Sequence, residues 1–441
     1  MPVPLLEIET DAVLPAEVDV VVIGGGIVGA SAAYYLARRG VSVALVEKGR
    51  IGAEQSSRNW GWCRQQNRDA RELPMATASL ALWDRLAEET GSDLGFNRCG
   101  LLYLSDDEAQ LAGWAQWRDF AAGHGVVTHM LSADEASARG AATGRRWKGG
   151  VFSPTDGIAD PGRAAPLIAL GVRQAGGSVH QFCAARGLET QGGRVSGVVT
   201  EAGTIRTSTV IMAGGAWASS FLNQYGLRFP QASVRASILS VAAPAVALPD
   251  ALHTTNVSVT RRGRNSFALS ISGGARVDPT PQQLTFARQF VPLFISRRRS
   301  LAPGGLQGWR AGHETRRRWR LDAPTPMEAC RILDPTPDPR QVEETLARAR
   351  RLLPALEGQP VTARWAGYID STPDAVPAIG PVEGMPGLIL AAGFSGHGFG
   401  IGPGAGHLAA DLATGAPPIV DPVPYAPARL AGSAWGRVAG Y

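Results

Sequence analysis

The first fifty residues limit most strongly what this chain can fold into. Val18 to Ile23 (VDVVVI) is an apolar, β-branched run, the pattern of a strand buried on both faces of a parallel sheet. Gly24-Gly25-Gly26-Ile27-Val28-Gly29 follows, then Ala30 to Arg39 with small and apolar residues at helical spacing. Gly40 sits where such a helix would close. Val41 to Val46 (VSVALV) is a second buried strand, and Glu47 comes directly after it. The spacing predicts a β-α-β unit.

Within that unit the glycines form G-x-G-x-x-G, and each has a physical task. Gly24 allows the tight turn, Gly26 lets the backbone approach a pyrophosphate, and Gly29 lets helix pack on strand. Ile27 and Val28 open the helix, where unpaired N–H groups and the positive dipole end favour phosphate. Glu47 lies 18 residues after Gly29, placed to accept hydrogen bonds from ribose hydroxyls and to disfavour a 2′-phosphate. The segment predicts a dinucleotide site.

The rest of the composition narrows the class. At 441 residues the chain has room for two to three domains. With 44% hydrophobic and 18% charged residues it can bury a large core, which excludes general disorder. A net charge of +5 does not call for nucleic acid. Its basic residues are 41 arginines and only two lysines, Lys48 and Lys148. Cys63, Cys99, Cys183 and Cys330 form no CxxC pair, so no metal site is expected, and scattered thiols suit a reducing cytoplasm. The N-terminus has no secretory pattern, and no apolar run is long enough to predict a transmembrane helix.

Helices are predicted over 75–90, 107–122, 164–175, 280–300, 340–357 and about 402–414. Strands are predicted at Val195 to Val199, Ile205 to Thr207, Thr209 to Ala213 and Gly387 to Ala392, with antiparallel strands across 232–275. Arg297 to Arg299 and Arg316 to Arg318 read as solvated faces, and the last 25 residues as a surface tail.

Past Glu47 the chain runs into a polar loop, Lys48 to Ser57, instead of another β-α-β unit. Together with the glycine fingerprint, this start resembles that of the D-amino-acid oxidase-like (DAO) family of flavoproteins. Asp156-Gly157-Ile158-Ala159-Asp160-Pro161 is similar to that family's DG-x-x-DP segment. Gly193 to Trp217 resembles its second flavin motif, and Gly393 to Gly404 (GFSGHGFGIGPG) its flavin-ring loop. These motifs span nearly the whole chain.

The resemblance implies an α/β fold: a Rossmann-like FAD-binding domain of glutathione-reductase-like, DAO type, and an α+β substrate domain on an antiparallel sheet. The FAD domain would use 1–90, 148–228 and 360–441, the substrate domain 91–147 and 229–359. It implies FAD-dependent oxidation of a C–N bond of an amino acid or secondary amine, by hydride transfer to the flavin and hydrolysis of the imine. Two alternatives stay open: oxidation of a C–OH bond, and an electron-transfer subunit of a hetero-oligomeric amine dehydrogenase.

Expected FAD contacts are Gly24, Gly26, Ile27, Val28, Gly29, Glu47, Lys48, Ser56, Ser57, Arg58, Trp60, Gly61 and Trp62. Ala185, Ala213, Gly214 and Trp217 join them, as does the loop Gly396, His397, Gly398, Phe399, Gly400 and Ile401. Arg64, His397 and Tyr368 are the expected catalytic residues, with Arg64 matched to a position near the flavin or the substrate carboxylate and Gln65 beside it. No cysteine precedes Thr372-Pro373-Asp374 and no histidine lies near the first motif, so FAD is expected to be non-covalent. The substrate-binding lysine of the sarcosine oxidases is replaced by Gly400, which makes sarcosine doubtful. Their oxygen-activating lysine is also missing. Either an arginine such as Arg261, Arg262 or Arg264 replaces it, or electrons pass to a quinone or other carrier, with peripheral membrane contact left open. The oligomeric state cannot be read from the sequence.

Overall fold

The computed structural model describes residues 3–432. The N-terminal pattern becomes β1 (Val20–Ile23), α1 (Ile27–Arg38) and β2 (Val43–Val46). They found a six-stranded sheet with β8 (Ser178–His180), β12 (Thr209–Met212), β20 (Ala378–Pro381) and β21 (Leu388–Ala392). Its order is β20-β21-β12-β1-β2-β8, parallel except for the edge strand β20. The β-branched runs sit at its centre, where both faces are covered.

One face carries α1, α2 (Leu73–Thr90), α5 (Ala164–Gln174) and α11 (Gly402–Thr414). α1 can lie against α11 because the crossing uses small residues. A Cβ on Gly406 would stand 2.5 Å from the Cβ of Ser31. The other face carries the meander β9 (Ala185–Gln191), β10 (Arg194–Thr200) and β11 (Gly203–Arg206), with α6 (Ala218–Asn223) beside it.

A second, ten-stranded sheet forms the other layer. Along one path it runs β18 (Leu301–Pro303), β17 (Ala275–Val277), β13 (Ala232–Ala242), β16 (Ser266–Ser270), β15 (Ser258–Arg262), β14 (Ala251–His253), β4 (Leu101–Ser105), β6 (Gly149–Ser153) and β5 (His129–Leu131). The tenth strand, β19 (Val361–Ser371), pairs with β13 over its whole length. α3 (Glu108–Ala122), α4 (Ala133–Arg139) and α10 (Pro339–Leu352) cover it, while α7 (Pro281–Arg297) and α8 (Gln307–Ala311) flank its β17–β18 edge. α9 (Pro326–Ala329) leads into a segment that returns to the first sheet. The short pair β3 (Trp62–Cys63) and β7 (Gly157–Ile158) joins the layers.

β6 and β19, in segments expected in the FAD domain, both pair within the ten-stranded sheet. Two expectations change. The helix predicted to 357 stops at Leu352, where Pro354 starts a 3₁₀ turn. Residues 417–432 are not a loose tail. Tyr425 and Leu430 are buried, and Arg429 pairs with Asp374 at 3.0 Å. The remainder of that tail, 433–441, lies outside the described residues.

Candidate active site

At the end of β1 the chain turns through Gly24 with φ +105°, and a Cβ there would sit 2.5 Å from the Ala213 carbonyl oxygen. A Cβ on Gly29 would stand 1.9 Å from the Gly24 oxygen, so helix and turn touch through bare backbone. The first N–H groups of α1 have no partner inside the helix. Ile27 donates to Ser56 Oγ at 2.9 Å, and the end of the helix faces a cleft. Glu47 closes the far side. Its carboxylate accepts from the backbone N–H of Gly25 and of Gly49, each at 2.7 Å, leaving lone pairs for ribose hydroxyls.

Of the expected FAD contacts, Gly24, Gly26, Glu47, Lys48, Ser56, Ala185, Ala213, Gly214 and Trp217 line this cleft. Lys48 also holds contacts within the protein. Its Nζ donates to Glu54 at 2.5 Å and to the carbonyls of Cys330 and Arg331 at 2.9 and 3.0 Å, and lies 4.6 Å above the Trp217 ring. It is a strut that pins the segment after α9 over the cleft. Sequence reasoning missed Glu54, Met327 and Asp370 in this wall. Glu54 lay in the loop already singled out; Met327 arrives from α9 and Asp370 from β19.

Ser57, Arg58, Trp60, Gly61 and Trp62 stand outside that wall, in the crossing between the two sheets. Arg58 spends its guanidinium on the carbonyls of Ala53 (3.1 Å) and Ala366 (2.7 Å) and on Asp334 (2.5 Å). Trp62 donates Nε1–H to Thr260 Oγ1 at 2.7 Å, with Trp60 edge-on at 4.9 Å.

The glycine-rich C-terminal loop meets this crossing. Its backbone approaches too closely for side chains: a Cβ on Gly400 would lie 2.6 Å from the Trp62 carbonyl oxygen, and one on Gly398 2.8 Å from Phe394 Cβ. The Gly400 carbonyl accepts from Ser79 Oγ (2.8 Å) and Trp83 Nε1 (2.9 Å), and Phe399 packs 5.5 Å from the Trp83 ring. Gly396 adopts φ +88°, and Ile401 is buried at the start of α11.

His397 projects from this loop. Its Nδ1 lies 2.9 Å from the carboxylate of Glu72, a residue with no exposure. Burial lowers the His397 pKa, with Arg68 and Arg64 adding to the effect against Glu72. The Glu72 carboxyl, although buried, is held below its ordinary value by His397 and Arg68. A neutral ring beside a carboxylate places the proton on Nδ1 and leaves Nε2 as an acceptor.

Arg64 and Arg68 complete the group. Arg64 Nη1 donates to the Gln66 carbonyl and to Tyr103 Oη (3.2 Å), and its guanidinium stands 5.7 Å from the Trp62 ring. Arg68 is buried with Nη1 unpartnered, and burial lowers its pKa to about 10. Asp156, the first residue of the DG segment, ties down the backbone between the two arginines. Its buried carboxylate accepts from the N–H of Gln65 (2.7 Å) and Gln66 (3.1 Å). The rings of Trp62, Tyr103 and His253 pack beside Arg64, with Tyr103 and His253 4.8 Å apart. Nothing in the sequence marked Arg68, Glu72, Tyr103 or His253, which come from a loop, a helix cap and two strands.

Tyr368, expected in this group, stands elsewhere. It lines the cofactor cleft and donates to Asp278 Oδ2 at 2.7 Å, while Asp278 pairs with Arg235 at 2.9 Å. His313 lies against it, ring centroids 4.6 Å apart, fully buried with both nitrogens unpartnered. β19 turns Tyr368 toward β17 in place of Arg64, because its register on β13 sets Tyr368 opposite Arg235. Among the described residues no cluster could hold a metal ion.

The family of FAD dependent oxidoreductases called DAO matches residues 19–412. The chain belongs to this family. It is 29% identical to a glycine oxidase of Pseudomonas aeruginosa over 427 residues, 93% of this chain and 98% of that one. The structure of an L-amino acid deaminase from Proteus myxofaciens, in complex with anthranilate, superposes with a TM-score of 0.92 at 28% identity and 97% coverage of both chains. An L-proline dehydrogenase from P. horikoshii gives a TM-score of 0.77 at 25% identity, covering 94% of this chain and 98% of that chain.

FAD is this family member's cofactor, and the cleft fits it. The glycine contacts leave backbone open along the phosphate path, Glu47 keeps acceptor capacity for a ribose, and α1 supplies the positive helix end. The α11 N-terminus and bare loop of Gly396 to Gly402 provide a second positive backbone surface beside His397. None of the four cysteines lines the cleft among the described residues.

Proposed function

We propose that this protein oxidises the Cα–N bond of a free α-amino acid, releasing a 2-oxo acid and ammonia. The observation that carries the reading is the Arg64–Arg68–His397–Glu72 group at the meeting of the flavin-ring loop and the inter-layer crossing. The relatives' names point the same way: glycine oxidase and L-amino acid deaminase, the latter seen with an aromatic carboxylate.

FAD, held non-covalently, supplies the two-electron acceptor that amino-acid side chains lack. Arg64 receives the substrate carboxylate as a charge-assisted pair, with the free Nη1 of Arg68 behind it. An ammonium has no lone pair with which to stabilise the developing iminium. His397 Nε2 takes that proton, while Glu72 fixes the tautomer through Nδ1–H. Water then hydrolyses the imine. Trp62, Tyr103 and the neutral His253, whose pKa burial pushes down to about 3, make an apolar flank that excludes further charge. Oxygen or a quinone carrier then takes the electrons, in a reducing cytoplasmic setting that suits four free cysteines.

The test is an anaerobic titration of the yellow protein with amino acids, N-methyl amines, imino acids and hydroxy acids. Amino acids should bleach the flavin. Arg64→Gln should raise the half-bleaching concentration about 10- to 100-fold, the worth of a hydrogen bond to a charged group. Bleaching by hydroxy acids alone overturns the C–N reading, and equal bleaching by amines without a carboxylate overturns the role of Arg64. Admitting air separates the acceptors: rapid recolouring means oxygen, slow recolouring a carrier.

A further inference from the structure

The arginine runs set aside as solvated faces belong to a larger feature. α7 is anchored at its first turns. Gln282 Nε2 donates to the Gln231 carbonyl and Gln283 Nε2 to the Ser233 carbonyl, each at 2.8 Å, and Phe286 is buried. The helix turns apolar side chains outward: Leu284 is 70% exposed, Phe294 55% and Ile295 51%. Val291 lies between them, so 284, 291 and 295 follow one helical face. α8, hanging from the same β17–β18 edge, adds Leu306 at 57% and Trp309 at 54%. Half of the exposed large apolar residues among the described ones fall in this one stretch of the chain.

Its charge is as unusual. Residues 281–320 hold nine arginines and one acidic residue, Glu314, which is buried and bonded to Thr280 and Ser233. That gives +8 in forty residues, against +5 for the whole chain. Arg288, Arg297, Arg298, Arg299 and Arg310 are exposed, with no ion pair among the described residues.

We infer that this edge docks on an anionic lipid bilayer. Outward Leu, Val, Phe, Ile and Trp can enter the headgroup region, and arginines beside them can keep their guanidinium groups at the phosphates. A second copy of this chain suits the surface poorly, because a two-fold contact would set its arginines against the same arginines. No helix of the described residues is long and apolar enough to cross a membrane, so the contact would be peripheral. The root of the edge touches the cofactor cleft. Asp278 accepts from the Gly305 N–H at 2.8 Å and from the hydroxyl of cleft-lining Tyr368. The inference stands apart from the substrate reading, since it uses none of the Arg64 group.

The test is sedimentation of the full FAD-loaded chain with vesicles of pure phosphatidylcholine or of phosphatidylcholine with 30% phosphatidylglycerol. Binding to the anionic vesicles alone, lost in high salt, is expected. The triple change Arg297→Gln, Arg298→Gln, Arg299→Gln should weaken it on the order of a hundredfold, about fivefold per charge. Phe294→Ser with Ile295→Ser should weaken it at least tenfold, and both variants should keep wild-type turnover with a soluble dye. Equal binding to both vesicles, no binding, or a dimer that both variants dissociate would overturn the inference.

Discussion

Glu72→Gln tests the proposed base most sharply, because it keeps the shape of the site and removes one charge. Glu72 is fully buried, and its carboxylate lies 2.9 Å from His397 Nδ1. An amide oxygen can still accept that proton, so the ring should stay in place. What goes is the negative charge that opposes Arg64, Arg68 and burial in setting the basicity of His397. At a charge separation of about 4 Å and an effective dielectric near 20, a unit charge contributes about 4 kcal/mol. The His397 side chain is 21% exposed, and halving the figure for solvent leaves about 2 kcal/mol, or about 1.5 pH units.

The sign follows from which form the charge favours. Losing a carboxylate disfavours imidazolium, so the His397 pKa, already below 6.5, falls further. The assay is anaerobic flavin reduction by stopped flow across pH 5 to 9. In the wild type the acid limb of kcat/KM should lie below the ordinary histidine range. In Glu72→Gln it should move down by about one to two units, while the plateau drops about five- to tenfold because the base is weaker. His397→Gln should abolish the limb. An acid limb that stays put or moves up in Glu72→Gln, at unchanged FAD content, refutes the assignment of His397 as the proton acceptor.

Three further outcomes are expected. Gly29→Ala would force a Cβ to 1.9 Å from the Gly24 oxygen, so the protein should purify with little FAD; flavin content at wild-type stoichiometry would contradict this. Gly400→Ala would press on the Trp62 carbonyl from 2.6 Å, and overpacking of this kind costs about 1–3 kcal/mol, read as a lower Tm with slower flavin reduction. Burial pushes the Glu314 carboxyl up to about 7, so its stabilising contribution is full below pH 4.5 and lost as pH rises through 7. Stability should therefore fall by about 3 kcal/mol between pH 4.5 and 7.5, read as a falling wild-type Tm, and Glu314→Gln should flatten that fall; parallel Tm curves would show that Glu314 is ionised throughout.

The cofactor half of the site was legible because its signals are local. A glycine that must hold φ +105°, or let an oxygen approach within van der Waals contact, is written at one position, and the strand and helix around it have their own periods. Gly24, Gly26, Gly29 and Glu47 therefore stand where spacing puts them. The pairings of Lys48 and Arg58 were not legible, for the opposite reason. Their partners, Cys330, Arg331, Asp334 and Ala366, lie some 280 to 310 residues away, and no local pattern records such pairings.

By itself the sequence determined the β-α-β unit, the dinucleotide site and the family, since these depend on residue type at short spacing. Only the tertiary structure decided which groups act together. Register between β13 and β19 turned Tyr368 away from Arg64 and into a buried set with Asp278 and Arg235. Packing of the C-terminal loop against α2 brought His397 to Glu72, 325 residues apart, and folded in Arg68. Folding also left one face of α7 uncovered, turning an arginine-rich stretch into a candidate surface. A hydrogen bond or an ion pair depends on distance in space, and a long chain sets that distance only once both sheets have closed.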